Sequence, residues 1–183
     1  DFRSGTMALK ATVFKADLQV ANLDENQFGD YSLTLAQHPS ETIERVMIRL
    51  LAFALYASED LRFGRGLSNE EDAAVWEIDP GGVTRLWIDV GLPDEVRVKK
   101  ACSRADRTVI ITYGGRPSDM WWQQNQNTLK RYRNLSVIQI SPEDSEKLVA
   151  VATRTMKLAW TMQEGMLYLA EAAITPIKLL DQA

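Results

Sequence analysis

The sequence predicts a mixed α/β fold, with helices layered on one sheet and β-hairpins at both ends of the chain. Three observations carry this. Apolar and polar residues alternate from Ala11 to Val20, the period of a half-buried strand, and Thr153–Met162 and Met166–Ala170 flank Gln163-Glu164-Gly165 as a terminal hairpin. Between these ends, apolar runs and helix-start signals succeed one another as strand, helix, strand, helix, strand. The chain has 183 residues, 45% apolar and 25% charged, the size and balance of a single globular domain.

The elements follow in order. Residues 1–6 have no apolar run and read as an appended segment before a native start at Met7, leaving 7–183 as the domain. Thr12, Phe14, Ala16, Leu18 and Val20 share one parity of the first strand, and Tyr31 to Ala36 alternates again after a polar turn, which makes a hairpin. Pro39 suits a first helical position, and Ile43, Val46, Met47, Leu50, Leu51, Ala54 and Leu55 recur at helical spacing to about Ala57. Ser58 to Asp72 reads as a long polar loop. Strands are expected over Val75–Asp79 and Arg85–Val90, joined by an Asp79-Pro80-Gly81-Gly82 turn. Asp94 caps a helix to about Arg104. Thr108–Tyr113 is an apolar run of buried-strand type, followed by a Gly114-Gly115 loop and a helix over Ser118–Gln126. Leu135–Ile140 is a further strand, and Ser141-Pro142-Glu143-Asp144 places cap, proline and acids in the order that starts a helix.

Composition excludes several chemistries. The one cysteine, Cys102, permits no internal disulfide and no multi-cysteine zinc site. The one histidine, His38, excludes His-rich metal centres, so any metal would be a hard ion held by oxygen. A net charge of −4 argues against a protein that coats nucleic acid, though not against a local basic groove. No apolar run reaches the ~18 residues of a membrane span, and no signal peptide follows Met7; a cytoplasmic protein with a reduced thiol is expected.

The stretch LWIDVGLPDEVRVKKA, residues 86–101, carries most of the chemistry. It puts Asp89 at the end of an apolar strand, where a carboxylate must be paired or bound to a cation. Arg97 and Lys100 lie three apart on one face of the next helix. Two readings are open: a divalent-metal site beside a charge neutraliser, or an ion pair tying strand to helix. Gly114-Gly115-Arg116 is either a phosphate cradle or a tight turn. Trp121 and Trp122 either stack bases or pack on the sheet. The Lys130-Arg131-Tyr132-Arg133 run is either a phosphate contact or solvated surface.

The chain resembles the YaeQ family of small bacterial proteins. The matching words are MALKATVFKADLQVANLD (7–24), TLAQHPSETIERVMIRLLAFA (34–54), LWIDVGLPDEVRVKKACSRAD (86–106), YGGR (113–116), WWQQNQ (121–126) and NLSVI (134–138). The resemblance implies a variant of the PD-(D/E)xK, restriction-endonuclease-like core with flanking hairpins. It also implies a nuclease-like site in which acids from a helix and two strands hold Mg²⁺ and a lysine assists. Carried over by position, Glu44 is the helix acid, Asp89 the acid of the (D/E)xK strand, and Lys100 a lysine moved to the next helix. The family often reads E-P-D-L-W before the second strand, where this chain reads Asp72-Ala73-Ala74-Val75-Trp76. Its aspartate is replaced by Ala74, and Asp72 is the substitute, ahead of Glu77 or Asp79. The x-Lys place is Val90-Gly91, so the strand lysine is absent. The expectation is therefore Mg²⁺-dependent phosphodiester hydrolysis on DNA or RNA, with Glu44, Asp72 and Asp89 as ligands and Lys100 as helper. Arg97, Arg116, Lys130 and Arg131 are the expected nucleic-acid contacts in a local cleft. The rival is a non-catalytic binding or regulatory module that keeps the cleft and has lost the metal.

Overall fold

The computed structural model describes residues 10–67 and 69–183; the expected appended segment, residues 1–6, lies outside them. The strands form two sheets rather than the expected one. Among the described residues, the first has five strands and the second six. In the first, β1 (Thr12–Asn22) pairs antiparallel with β2 (Gln27–Gln37) over their full length. β1 also pairs parallel with β8 (Thr155–Gln163), which continues antiparallel into β9 (Met166–Leu169) and β10 (Ala172–Ile174). The two terminal hairpins thus find each other, because each has one apolar face and neither can bury it alone.

The second sheet holds β3 (Leu61–Phe63), β4 (Val75–Ile78), β5 (Thr84–Val90), β6 (Arg107–Thr112), β7 (Leu135–Gln139) and β11 (Ile177–Asp181). Its centre, β5-β6-β7, is parallel, with α2 (Glu95–Arg104) and α3 (Arg116–Leu129) as crossovers. These helices cover one face: Val98 of α2 and Trp121 and Leu129 of α3 pack with Ile110, Leu135 and Val137. The other face meets α1 (Ile43–Leu55), which also contacts β2 and α4 (Pro142–Ala150). α1 therefore lies between the sheets, and every residue from Val46 to Ala54 is buried.

Local signals explain the helix starts. Asp94 and Ser141 cap α2 and α4 as expected, their side chains accepting from the N–H groups of Arg97 and Asp144. α1 starts later than Pro39. Residues 38–41 form a turn in which the Glu41 N–H donates to the His38 carbonyl, and Thr42 supplies the cap by accepting from the Arg45 N–H. Gly115 precedes α3 at φ 69°, a conformation that favours glycine, which makes the Gly114-Gly115 pair a turn with a backbone reason.

β3, β10 and β11 were not expected. Each is a strand of 3–5 residues at or near a sheet end, too short for periodicity to mark it. β3 lies inside the stretch read as a polar loop, and Gly64 follows it. There the Gly64 N–H donates to the Ala74 carbonyl at 3.0 Å, and a Cβ at 64 would stand 1.9 Å from the Ala73 carbonyl oxygen. Gly64→Ala is accordingly expected to destabilise the fold by about 1–3 kcal/mol, read by urea denaturation, because the obstacle is backbone that cannot rotate away. A change below a few tenths would show that this register is not required.

Candidate functional site

A cleft of about 390 Å³ opens at the carboxyl end of β5, the end of a parallel strand where open α/β sheets place ligands. α1 contributes Arg45 and Arg49, the β3–β4 loop contributes Asp72 and Ala74, β5 contributes Asp89, and α2 contributes Arg97 and Lys100. Asp89 is buried. Arg97 meets it with a two-pronged fork: Nε to Oδ2 at 2.7 Å and Nη2 to Oδ1 at 3.1 Å. The guanidinium also donates to the Asp72 carbonyl at 2.7 Å and to the Glu70 carbonyl, and stands 5.0 Å from the Trp87 ring centroid. The Ala74 N–H adds a donor to Asp89 Oδ1 at 3.3 Å. One side chain thus ties helix, strand and loop. Burial works against the Arg97 charge, but the hydrogen bond and charge of Asp89, with Glu70 and Glu71 nearby, hold its pKa above the ordinary value.

Asp72 is clamped in the same way. Its Oδ2 accepts from the backbone N–H and Nε of Arg65, both at 2.9 Å, and its Oδ1 from Nη2 at 2.9 Å. The Arg65 hydrogen bonds outweigh burial and keep the Asp72 carboxyl below its usual pKa. Lys100 Nζ donates to Glu71 Oε1 at 2.9 Å and to the Glu70 carbonyl at 3.2 Å, and Arg104 holds the other Glu71 oxygen. Those two cations draw the exposed Glu71 carboxyl below its ordinary range.

Asp72, Asp89, Arg97 and Lys100 therefore share one cleft, and Glu44 does not. Glu44 faces α4, where its Oε2 accepts from the Ser145 hydroxyl at 2.6 Å. Glu77 accepts from Ser58, and Asp79 holds the β4–β5 turn and Arg85; neither lines the cleft. Among the described residues, no three His, Cys, Asp or Glu side chains come together as a group able to hold a metal ion. The donors present do not fit Mg²⁺ in this arrangement, because Asp72 and Asp89 have their oxygens turned to arginine and backbone donors and position 74 offers a methyl group.

Arg116, at the start of α3, and Lys130 and Arg131, at its end, are exposed and outside the cleft. The last two precede the amino end of β7, so they stand at the opposite end of the parallel strands from Asp89. Trp121 is buried, its Nε1–H donating to the Pro93 carbonyl at 2.8 Å, and Trp122 packs beside it, so packing accounts for the pair. His38 is a loop residue whose Nδ1 accepts from the Ser40 N–H. Cys102 is half-buried, and burial raises its thiol pKa. Nothing local in the chain marks Arg45 and Arg49 as cleft residues or Arg65 as the partner of Asp72; only the fold brings them there. No helix among the described residues is long and apolar enough to cross a membrane.

Two mixed sheets about a central helix, with a paired carboxylate at a strand end, define a mixed α+β protein. The chain belongs to the YaeQ family, whose model, described as "YaeQ protein", matches residues 7–176. It is 49% identical to the uncharacterized protein YaeQ of Escherichia coli over 165 residues, 90% of this chain and 91% of that one. The crystal structure of YaeQ from Xanthomonas axonopodis pv. citri matches with a TM-score of 0.87 at 45% identity, covering 92% of this chain and 98% of that one. That of YaeQ from Pseudomonas syringae matches with a TM-score of 0.89 at 30% identity, covering 93% and 97%.

Arg97→Gln strands the Asp89 carboxylate, with an expected loss of about 2–3 kcal/mol in chemical denaturation. Combined with Asp89→Asn, the loss should fall well below the sum of the two single changes; simple additivity would mean the fork is not an energetic unit. The Asp72 clamp carries a pH signature. A carboxyl depressed in the fold contributes fully above its unfolded pKa, about 3.9, and loses that contribution as pH falls through the folded value. The stability difference between wild type and Asp72→Asn should stay constant from about pH 7 to 5 and shrink below about pH 4.

Proposed function

We propose that this YaeQ-family chain has a PD-(D/E)xK-like core and acts as a cytoplasmic module that binds the phosphate backbone of nucleic acid without hydrolysing it. The observation that carries this reading is the Arg97 fork on Asp89. In a metal-dependent nuclease, that strand-end carboxylate holds a divalent cation, which polarises a phosphoryl oxygen and lowers the pKa of a water. A guanidinium supplies positive charge at the same place, yet has no coordination position to offer to water or phosphate. Ala74 beside Asp89 removes a second carboxylate from the metal's side, consistent with the same loss.

The cations toward the solvent suit a phosphate contact. Lys100 is held by Glu71, whose side chain is 65% exposed; such a surface pair contributes little, so Lys100 can exchange that partner for a phosphate oxygen at small cost. The Arg65 side chain is 70% exposed and reaches the same edge. With few cations engaged and a net charge of −4, binding is local and sensitive to salt.

The second reading is Mg²⁺-dependent phosphodiester hydrolysis, favoured by Asp72, Asp89 and Lys100 lining one cleft. It requires Arg65 and Arg97 to release their carboxylates. Calorimetric titration of Mg²⁺ and Mn²⁺ into wild type and Asp89→Ala, with a mixed panel of labelled DNA and RNA, separates the two. The binding reading expects no divalent heat that depends on Asp89, intact substrates, and an anisotropy change that weakens with salt and falls several-fold in Lys100→Gln. Divalent binding lost in Asp89→Ala, together with cleavage, would establish the hydrolytic reading instead.

A further inference from the structure

A second cavity, of about 680 Å³, lies away from the cleft. It sits where α1 ends, at the amino ends of β5, β6 and β7, and is bordered by the β1–β2 and β8–β9 turns and by β11. Its volume is within the range of small-molecule sites, roughly 300–1,000 Å³. Leu86, Met162 and Leu180 give it an apolar floor. Beside that floor stand two polar groups that the fold does not use. Arg107, the first residue of β6, is exposed to the cavity, has no carboxylate partner among the described residues, and holds its guanidinium 5.9 Å from the Tyr56 ring centroid. The Tyr56 hydroxyl likewise has no hydrogen-bond partner among the described residues.

The other charges of the wall are largely committed. Arg85 is held by Asp79 and Asp106, the first two-pronged, and Lys178 reaches Asp181 at 3.5 Å. Asp24 accepts from the Glu164 and Gly165 N–H groups, and Glu77 from the Ser58 hydroxyl. Glu25 remains, an exposed carboxylate of the β1–β2 turn that also lines the wall. The pair at the floor, a guanidinium and a phenol, presents donors that the fold leaves without an acceptor; the nearby Asp181 carboxylate is turned to Lys178.

We infer that this cavity binds a small amphipathic anion, with an aliphatic or aromatic body on Leu86, Met162 and Leu180 and a single carboxylate or phosphate head on Arg107 and the Tyr56 hydroxyl. Arg107 supplies a charge-assisted hydrogen bond and sets the sign of the ligand. Tyr56 supplies a second donor and a flat face. Burial pushes its hydroxyl pKa up to about 12, with Arg107 opposing and Asp181 adding to the rise, so the group keeps its proton and donates at neutral pH. The inference is independent of the nucleic-acid reading, because it uses none of the cleft residues.

The test uses the full chain and 1-anilinonaphthalene-8-sulfonate, an aromatic body with one anionic head, followed by fluorescence. One saturable site is expected in wild type, weakened roughly tenfold or more by Arg107→Gln, less by Tyr56→Phe, and not at all by Lys100→Gln in the cleft. Octanoate and octyl phosphate should displace the dye, the better of the two identifying the head group, whereas octylamine should not. Circular dichroism checks that the variants fold, and Arg107→Lys, which keeps the charge, should recover most of the affinity. Absence of a saturable site, unchanged affinity in Arg107→Gln, weakening by Lys100→Gln, or displacement by octylamine as good as by octanoate would each overturn the inference.

Discussion

The burial of one arginine constrains the centre of the fold. α1 lies between two sheets with nothing to show to solvent from Val46 to Ala54, and eight of those nine residues are apolar. Arg49 is the ninth, its side chain only 3% exposed. An unpaired guanidinium there would cost several kcal/mol. Glu41 answers it with both carboxylate oxygens, at 2.9 and 2.7 Å, while also meeting Arg45; the Ala36 carbonyl takes a further donor, and the Phe63 ring lies against the guanidinium. The demand of one charge thereby fixes the end of β2, the turn before α1, the start of the helix and the edge strand β3. It also explains why the helix begins after Glu41 rather than at Pro39: Glu41 must stand outside the first turn to reach back along it.

The same device recurs across the cleft at decreasing depth. Glu41–Arg49 is fully enclosed. Asp89–Arg97 has side chains 10% and 23% exposed, Asp72–Arg65 joins a buried acid to an exposed arginine, and Glu71–Lys100 stands at the rim. Depth decides what each pair can do. Enclosed pairs hold geometry, because separating them leaves a charge without water. Rim pairs contribute little and exchange partners readily. The cleft thus has a fixed floor and an exchangeable edge, which suits reversible contact with an anionic chain better than tight retention of a metal.

Much of this was legible in the sequence. The four helices and the main strands follow from periodicity, and Asp94 and Ser141 as caps follow from side-chain chemistry that acts over three residues. Asp89 and Arg97 were also readable, since a carboxylate at the end of an apolar strand requires a cation and the next helix offers one. Two features were not. The division into two sheets depends on β1 pairing with β8, more than a hundred residues away, and nothing local encodes that choice. The placement of Glu44 also escaped, because α1 turns this residue to Ser145 and its neighbour Arg45 to the cleft, and a helix buried on all sides carries no polar stripe to say which is which.

The two cavities share α1 and β5, and that sharing determines how they relate. α1 lends Arg45 and Arg49 to the cleft, and its C-cap Tyr56 faces the larger cavity; β5 lends Asp89 to one and Leu86 to the other. Both elements are packed on all sides, so neither can shift without opening the core. Arg45 and Tyr56 are separated by eleven residues, roughly 16 Å along a helix axis. That is about twice the screening length at physiological salt, roughly 8 Å. Shape cannot carry a signal through these elements, and charge is screened across the solvent-facing part of the distance. Ligands in the two cavities should therefore bind independently, each reading only the side chains that its own end of α1 and β5 presents.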